Sequence, residues 1–160
     1  MALVALDVET RVESAVGELL NAMSELNTEL GGAGKIFVAY AGDHTTQYPC
    51  AYYKAEAFGE FTVRTGWYMG NIRLGSCTYK EDDKDTAKVK KVLGWLRGWA
   101  QQCDLATQIT NSTSAQTAGS ELTCEDVMVD NLPVDFSEGQ EIYEMFLDVR
   151  MLVRPSIGVV

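Results

Sequence analysis

Apolar residues recur at three- and four-residue steps through the first 30 positions: Val8, Val12, Ala15, Val16, Leu19, Met23, Leu26 and Leu30. That spacing places them on one stripe of an α-helix, with Glu18, Glu25 and Glu29 on the opposite side. Gly31-Gly32-Ala33-Gly34 ends the helix, because glycine supplies the left-handed backbone of a C-cap. Residues 35–41 then read as a short, largely buried strand and 42–47 as a turn. The middle is β, with extended stretches at 49–57, 61–65 and 72–79. Two hairpins compete there. One pairs 51–58 with 61–65; the other folds 61–79 about an aromatic tip, Gly66-Trp67-Tyr68-Met69-Gly70-Asn71.

A second helical stripe follows in Val89, Val92, Leu93, Leu96, Trp99, Ala100 and Cys103, with Lys84, Lys88, Lys90, Lys91 and Arg97 mostly outside it. Glu81, Asp82, Asp83 and Asp85 crowd its start, where capping and the helix dipole favour acids. Gly94 and Gly98 lower helix propensity and suggest close packing against the sheet. Residues 107–120 (TQITNSTSAQTAGS) are polar and nearly uncharged, and read as a long flexible loop. Residues 122–129 look like a strand, and 131–140 like a turn region.

The last segment alternates most cleanly. Tyr143, Met145, Leu147, Val149, Met151 and Val153 interleave with Glu144, Phe146, Asp148, Arg150, Leu152 and Arg154. One side is apolar and the other mainly charged, as in a sheet covered on one face, and Pro155 ends regular pairing. The predicted order is α-β-β-β-α-β-β. It describes a single α+β domain over 1–160, with one mostly antiparallel sheet and two helices packed on one face.

Charge narrows the partners. The 160 residues carry 13 Lys+Arg against 23 Asp+Glu, a formal net charge of -10. Long-range attraction to nucleic acid or an anionic membrane needs the opposite sign. The distribution is uneven: residues 1–34 sum to -5, residues 35–103 to +3 and residues 104–160 to -8. Unlike faces of this kind suit head-to-tail contact between identical subunits. No apolar run approaches the roughly 20 residues that span a bilayer. The N-terminus meets Asp7 with no basic region before it, unlike a secretory signal.

Candidate chemistry is sparse. Cys50, Cys77, Cys103 and Cys124 form no CxxC pair and read as reduced thiols packed as small apolar residues. His44, the only histidine, lies in a turn beside Asp43 and reads as a solvated side chain. Gly31–Lys35 fails as a phosphate loop: Glu29 stands where its first glycine should be, and Ile36 replaces Ser/Thr. The 81–85 acids lack the central glycine and terminal glutamate of a calcium loop, so helix capping is the expected role. No catalytic, cofactor-binding or metal-binding residue is singled out. The candidate contact residues are Trp67, Tyr68 and Met69 at the tip, and Lys88, Lys90 and Lys91 on the second helix.

The acidic first helix, β-meander, second helix opening near Glu81–Asp85 and long last strand together resemble the tail terminator (tail-completion) proteins of long-tailed bacteriophages. The ending Phe146-Leu147-Asp148-Val149-Arg150-Met151-Leu152-Val153-Arg154-Pro155 is similar to the extended apolar/basic C-terminal strand many of them carry. Ile72-Arg73-Leu74-Gly75, leading to a Lys/Asp-rich helix start, fits as well. The resemblance implies a non-enzymatic structural protein without cofactors, assembled in the host cytoplasm and located in the virion. It would form a homo-oligomeric ring, usually a hexamer, that caps the tail tube and ends its polymerisation. Its partners would be itself, the tail-tube protein and a head-completion or connector protein, with DNA only passing through the channel. A competing reading is an acidic dimeric secretion-type chaperone binding an unfolded partner segment. Such chaperones often add a C-terminal helix, whereas this chain ends in a strand and a Gly-Val-Val tail.

Overall fold

The computed structural model describes residues 6–39, 47–60, 66–128 and 134–156. Among them the chain forms four α-helices and a six-stranded sheet, an α+β fold. The helices are α1 (Val8–Asn21), α2 (Ser24–Glu29), α3 (Ala87–Ala100) and α4 (Leu105–Asn111). The strands are β1 (Ile36–Val38), β2 (Cys50–Glu60), β3 (Tyr68–Tyr79), β4 (Leu122–Met128), β5 (Asp135–Glu138) and β6 (Ile142–Pro155). The sheet runs β1-β2-β3-β6-β4, and β5 pairs with the first part of β6. Only β1 and β2 are parallel; every other pairing is antiparallel.

The core lies between the helices and one sheet face. Val12, Val16 and Leu20 of α1 and Val92 and Leu96 of α3 are fully buried with Ile72, Leu74, Leu147 and Val149. Val12, Val16, Val92, Leu96, Leu147 and Val149 are positions of the predicted stripes and of the alternating last strand, whereas Leu20 takes the buried place expected of Leu19, which is only half-buried. The first stripe, however, spans two helices. The chain bends at Ala22 and Met23, and the Asn27 side chain donates to the Asn21 carbonyl at 2.9 Å, satisfying an exposed helix end. The bend returns Leu26 and Leu30 to the core. Gly31 and Gly32, at φ 82° and 144°, then close α2 with bonds to the Thr28 and Asn27 carbonyls, the pairing of a Schellman cap.

Three expectations need correction. The segment expected as a long flexible loop, 107–120, instead continues α4 and adds a short 3-10 turn at Ser114–Gln116. Its order comes from Leu105 and Ile109, one turn apart and buried, and from Ala115. The Thr110 hydroxyl also accepts the Cys124 N–H at 2.9 Å, which ties α4 to β4. The expected two helices become four because α1–α2 breaks and α4 was hidden in a Ser/Thr-rich stretch. In the middle of the sheet β2 pairs directly with β3, with a bulge between Glu56 and Gly59, a pairing that neither expected hairpin contained. Residues 61–65, assigned to both hairpins, lie outside the described residues, as does His44.

Candidate functional site

The acidic run before α3 does structural work. Asp83 is 3% exposed, and its carboxylate accepts from the N–H groups of Lys88 (2.8 Å) and Val89 (2.9 Å) and from the Thr78 hydroxyl (2.9 Å). Asp85 accepts the Ala87 N–H at 3.2 Å. Together they satisfy the free donors at the helix start, the role expected of this run. Glu81 and Asp82 remain exposed. Among the described residues, no three His, Cys, Asp or Glu side chains gather to hold a metal ion. No described helix is long and apolar enough to cross a membrane.

The expected lysine cluster divides. Lys88 and Lys91 bond Glu29 of the same chain at 2.8 and 3.3 Å, and Trp95 Nε1 donates to the same carboxylate at 3.3 Å. The Lys88 hydrogen bond, with Lys91 and Trp95 behind it, holds the Glu29 carboxyl below its ordinary range against the opposing effect of burial. Lys90 points outward and is exposed, with no ion pair among the described residues. Gly94 and Gly98 share this outward side. A Cβ added at either meets nothing, so they do not pack against the sheet as the sequence suggested. Within Ala87–Ala100 there are four bases and no acid.

α1 presents the opposite sign. Asp7 caps it, accepting the Thr10 N–H at 3.0 Å. Glu9 and Glu13 follow one turn apart. The helix's one base, Arg11, is turned away from them. Its guanidinium donates to the carbonyls of Ser156 (2.8 Å), Glu121 (3.2 Å) and Gly119 (3.5 Å), fastening α1 to the end of β6. Burial, then the Asp7 and Glu9 charges, push the Glu13 carboxyl above its ordinary range, with Lys54 pulling the other way.

The expected aromatic tip is the start of β3. Tyr68 packs against the main core, Trp67 lies under the Arg154 guanidinium at 6.0 Å, and Met69 Sδ sits 3.1 Å from Arg150. All three are half-buried, and the structure does not bring them together with Lys88, Lys90 or Lys91 into one patch.

Away from the helices, the sheet carries a second, smaller cluster of Cys50, Tyr52 and Cys77, edged by Phe37, Tyr48, Ile142 and Phe146. Cys50 and Cys77 are free and face each other across β2 and β3. The hydrogen bond between them and burial push the Cys77 thiol far up, so it is not a ready nucleophile. The Tyr52 hydroxyl donates to Glu144 at 2.6 Å, and Arg73 pairs with Asp148 in two bonds of 2.9 and 3.1 Å while covering the Phe146 ring.

Sequence reasoning missed Glu29 as the partner of the lysines and the crowding of Glu9 and Glu13. The second was available in their four-residue spacing; the first depends on the bend between α1 and α2. Comparisons of the sequence with protein-family models and with curated proteins find no match.

Proposed function

We propose that this chain is a non-enzymatic structural protein that assembles as a ring on the tail tube of a long-tailed bacteriophage. The ring ends tube polymerisation and provides the surface for joining the head. The supporting observation is the architecture: an acidic amphipathic helix, an antiparallel β2–β3 pair that β1 joins in parallel where a meander was expected, a capped basic helix and one 14-residue last strand that organises the sheet. This is the order on which the resemblance to tail terminator proteins rests. Under this reading the partners are further copies of the chain, the tail-tube protein and a head-completion or connector protein. DNA crosses the ring without binding, since a chain at -10 repels phosphate.

The test is native mass spectrometry with electron microscopy, on the chain alone and with tail-tube protein. A closed ring that halts tube growth is expected. A dimer that binds an unfolded segment would replace this reading with the chaperone one. A monomer that neither caps nor binds tubes would overturn it.

A further inference from the structure

α1 and α3 are each 14 residues long and bury an apolar stripe against the same sheet face, yet their outward sides are unlike. α3 offers Lys90 with no partner among the described residues, beside Lys91 and the open backbone at Gly94 and Gly98. α1 offers the exposed Asp7 together with Glu9 and Glu13, which are half-buried on the flank of the helix where Lys54 of β2 acts on Glu13; the neighbouring base Arg11 is committed to three carbonyls. Like charges one turn apart repel. The same chain already shows the complementary arrangement, because Glu29 of α2 bridges Lys88 and Lys91 of α3.

We propose that the outward face of α3, centred on Lys90 and Gly94, receives the Asp7–Glu9–Glu13 face of α1 from a second copy of this chain. Charge complementarity chooses the occupant: the outer side of α3 is basic with Lys90 unopposed, while Asp7, Glu9 and Glu13 crowd together with only Lys54 of β2 and the committed Arg11 acting against their charge. The missing side chains at Gly94 and Gly98 leave room for the incoming helix to approach the backbone. Because the two faces are different patches of one chain, the contact is heterologous and propagates to a ring or a filament. The inference rests on the ring reading above and names the surfaces that would build it.

Sedimentation velocity on the full chain tests it, with thermal melts as the folding control. The wild type should associate at low salt and weaken about tenfold or more at roughly 0.5 M salt. Lys90→Glu and Glu9→Lys should each weaken association about tenfold with melting temperatures nearly unchanged, since neither position is buried. The two changes in one chain should restore association, as in a double-mutant cycle. Gly94→Leu supplies a second readout: it should leave the monomer folded and block assembly. An assembly indifferent to both reversals, or a double variant no better than the singles, overturns this contact and leaves the ring reading standing. A wild-type chain that stays monomeric at low salt overturns this contact, and the ring reading falls with it only if that monomer also neither caps nor binds tail tubes.

Discussion

α1 and α3 occupy the same layer, have the same length and bury the same kind of stripe, but they place glycine and charge oppositely. In α1 the glycine faces inward: Gly17 is buried, and the Tyr53 ring fills the place where its Cβ would stand. In α3, Gly94 and Gly98 face solvent with nothing near them. In α1 the one base is turned inward and the acids Glu9, Glu13 and Glu18 are half-buried on its flanks, whereas α3 turns four bases toward its outer and flanking sides. The contrast separates two reasons for a weak helix former. Gly17 is required by the fold of the single chain. Packing within the described chain does not require Gly94 or Gly98.

Removing the caps should break the symmetry of the pair most strongly. Asp83→Ala strips two N–H groups and the Thr78 hydroxyl of a buried acceptor, and should cost about 3 kcal/mol in urea unfolding. Asp7→Ala, at the exposed start of α1, should cost only about 1 kcal/mol. Equal costs would mean that the burial of Asp83 adds nothing to its capping.

Next come the glycines. Gly17→Ala drives a methyl into Tyr53 and should destabilise by about 2 kcal/mol. Gly94→Ala adds the same methyl in open space and should stabilise by about 1 kcal/mol, because alanine is the better helix former. Opposite signs in paired melts are the expected result. A loss at both positions would show that the outer glycines also serve the single chain.

How far these differences were legible in the sequence depends on what each required. The apolar stripes of α1 and α3 and the alternation of β6 are local patterns with the periods of their elements, and they were readable. α4 was not, because its helix rests on two buried residues, Leu105 and Ile109, set among Ser, Thr and Gln that favour loops. β5 was not, because all four of its residues are exposed and carry no inside–outside alternation. The role of Asp83 as a cap could be anticipated from the acidic run. Gly94 and Gly98 were expected to pack inward, yet the stripe from Val89 to Ala100 already sets both on the opposite side of the helix, where the structure has them. The capture of Lys88 and Lys91 by Glu29 required the bend after Asn21, which no local pattern encodes.

The smallest effects are electrostatic and turn on sign. Glu29, held by Lys88, has its carboxyl below the ordinary range in the folded chain. It therefore adds stability above the unfolded carboxylate pKa of about 4.3, and that stability is lost as pH falls through the lower folded value. Glu13 is raised, mainly by burial and then by Asp7 and Glu9, so the folded chain holds this proton more tightly than the unfolded one. Its contribution runs the other way: the charge opposes folding at neutral pH, and the penalty fades as pH drops through the raised value. Glu29→Gln should thus lower stability at pH 7 and flatten its fall in acid, while Glu13→Gln should raise stability at pH 7 by a few tenths of a kcal/mol, roughly the size of a like-charge pair one turn apart. Melts of both variants from neutral to acid pH read the two slopes directly. If the acidic face of α1 meets the basic face of a second α3, the Glu13→Gln gain belongs to the monomer alone, and the same substitution weakens the assembly. A variant more stable as a monomer and weaker as an oligomer is what a carboxylate held for a partner predicts; one that gains in both states would make Glu13 an ordinary crowded surface acid.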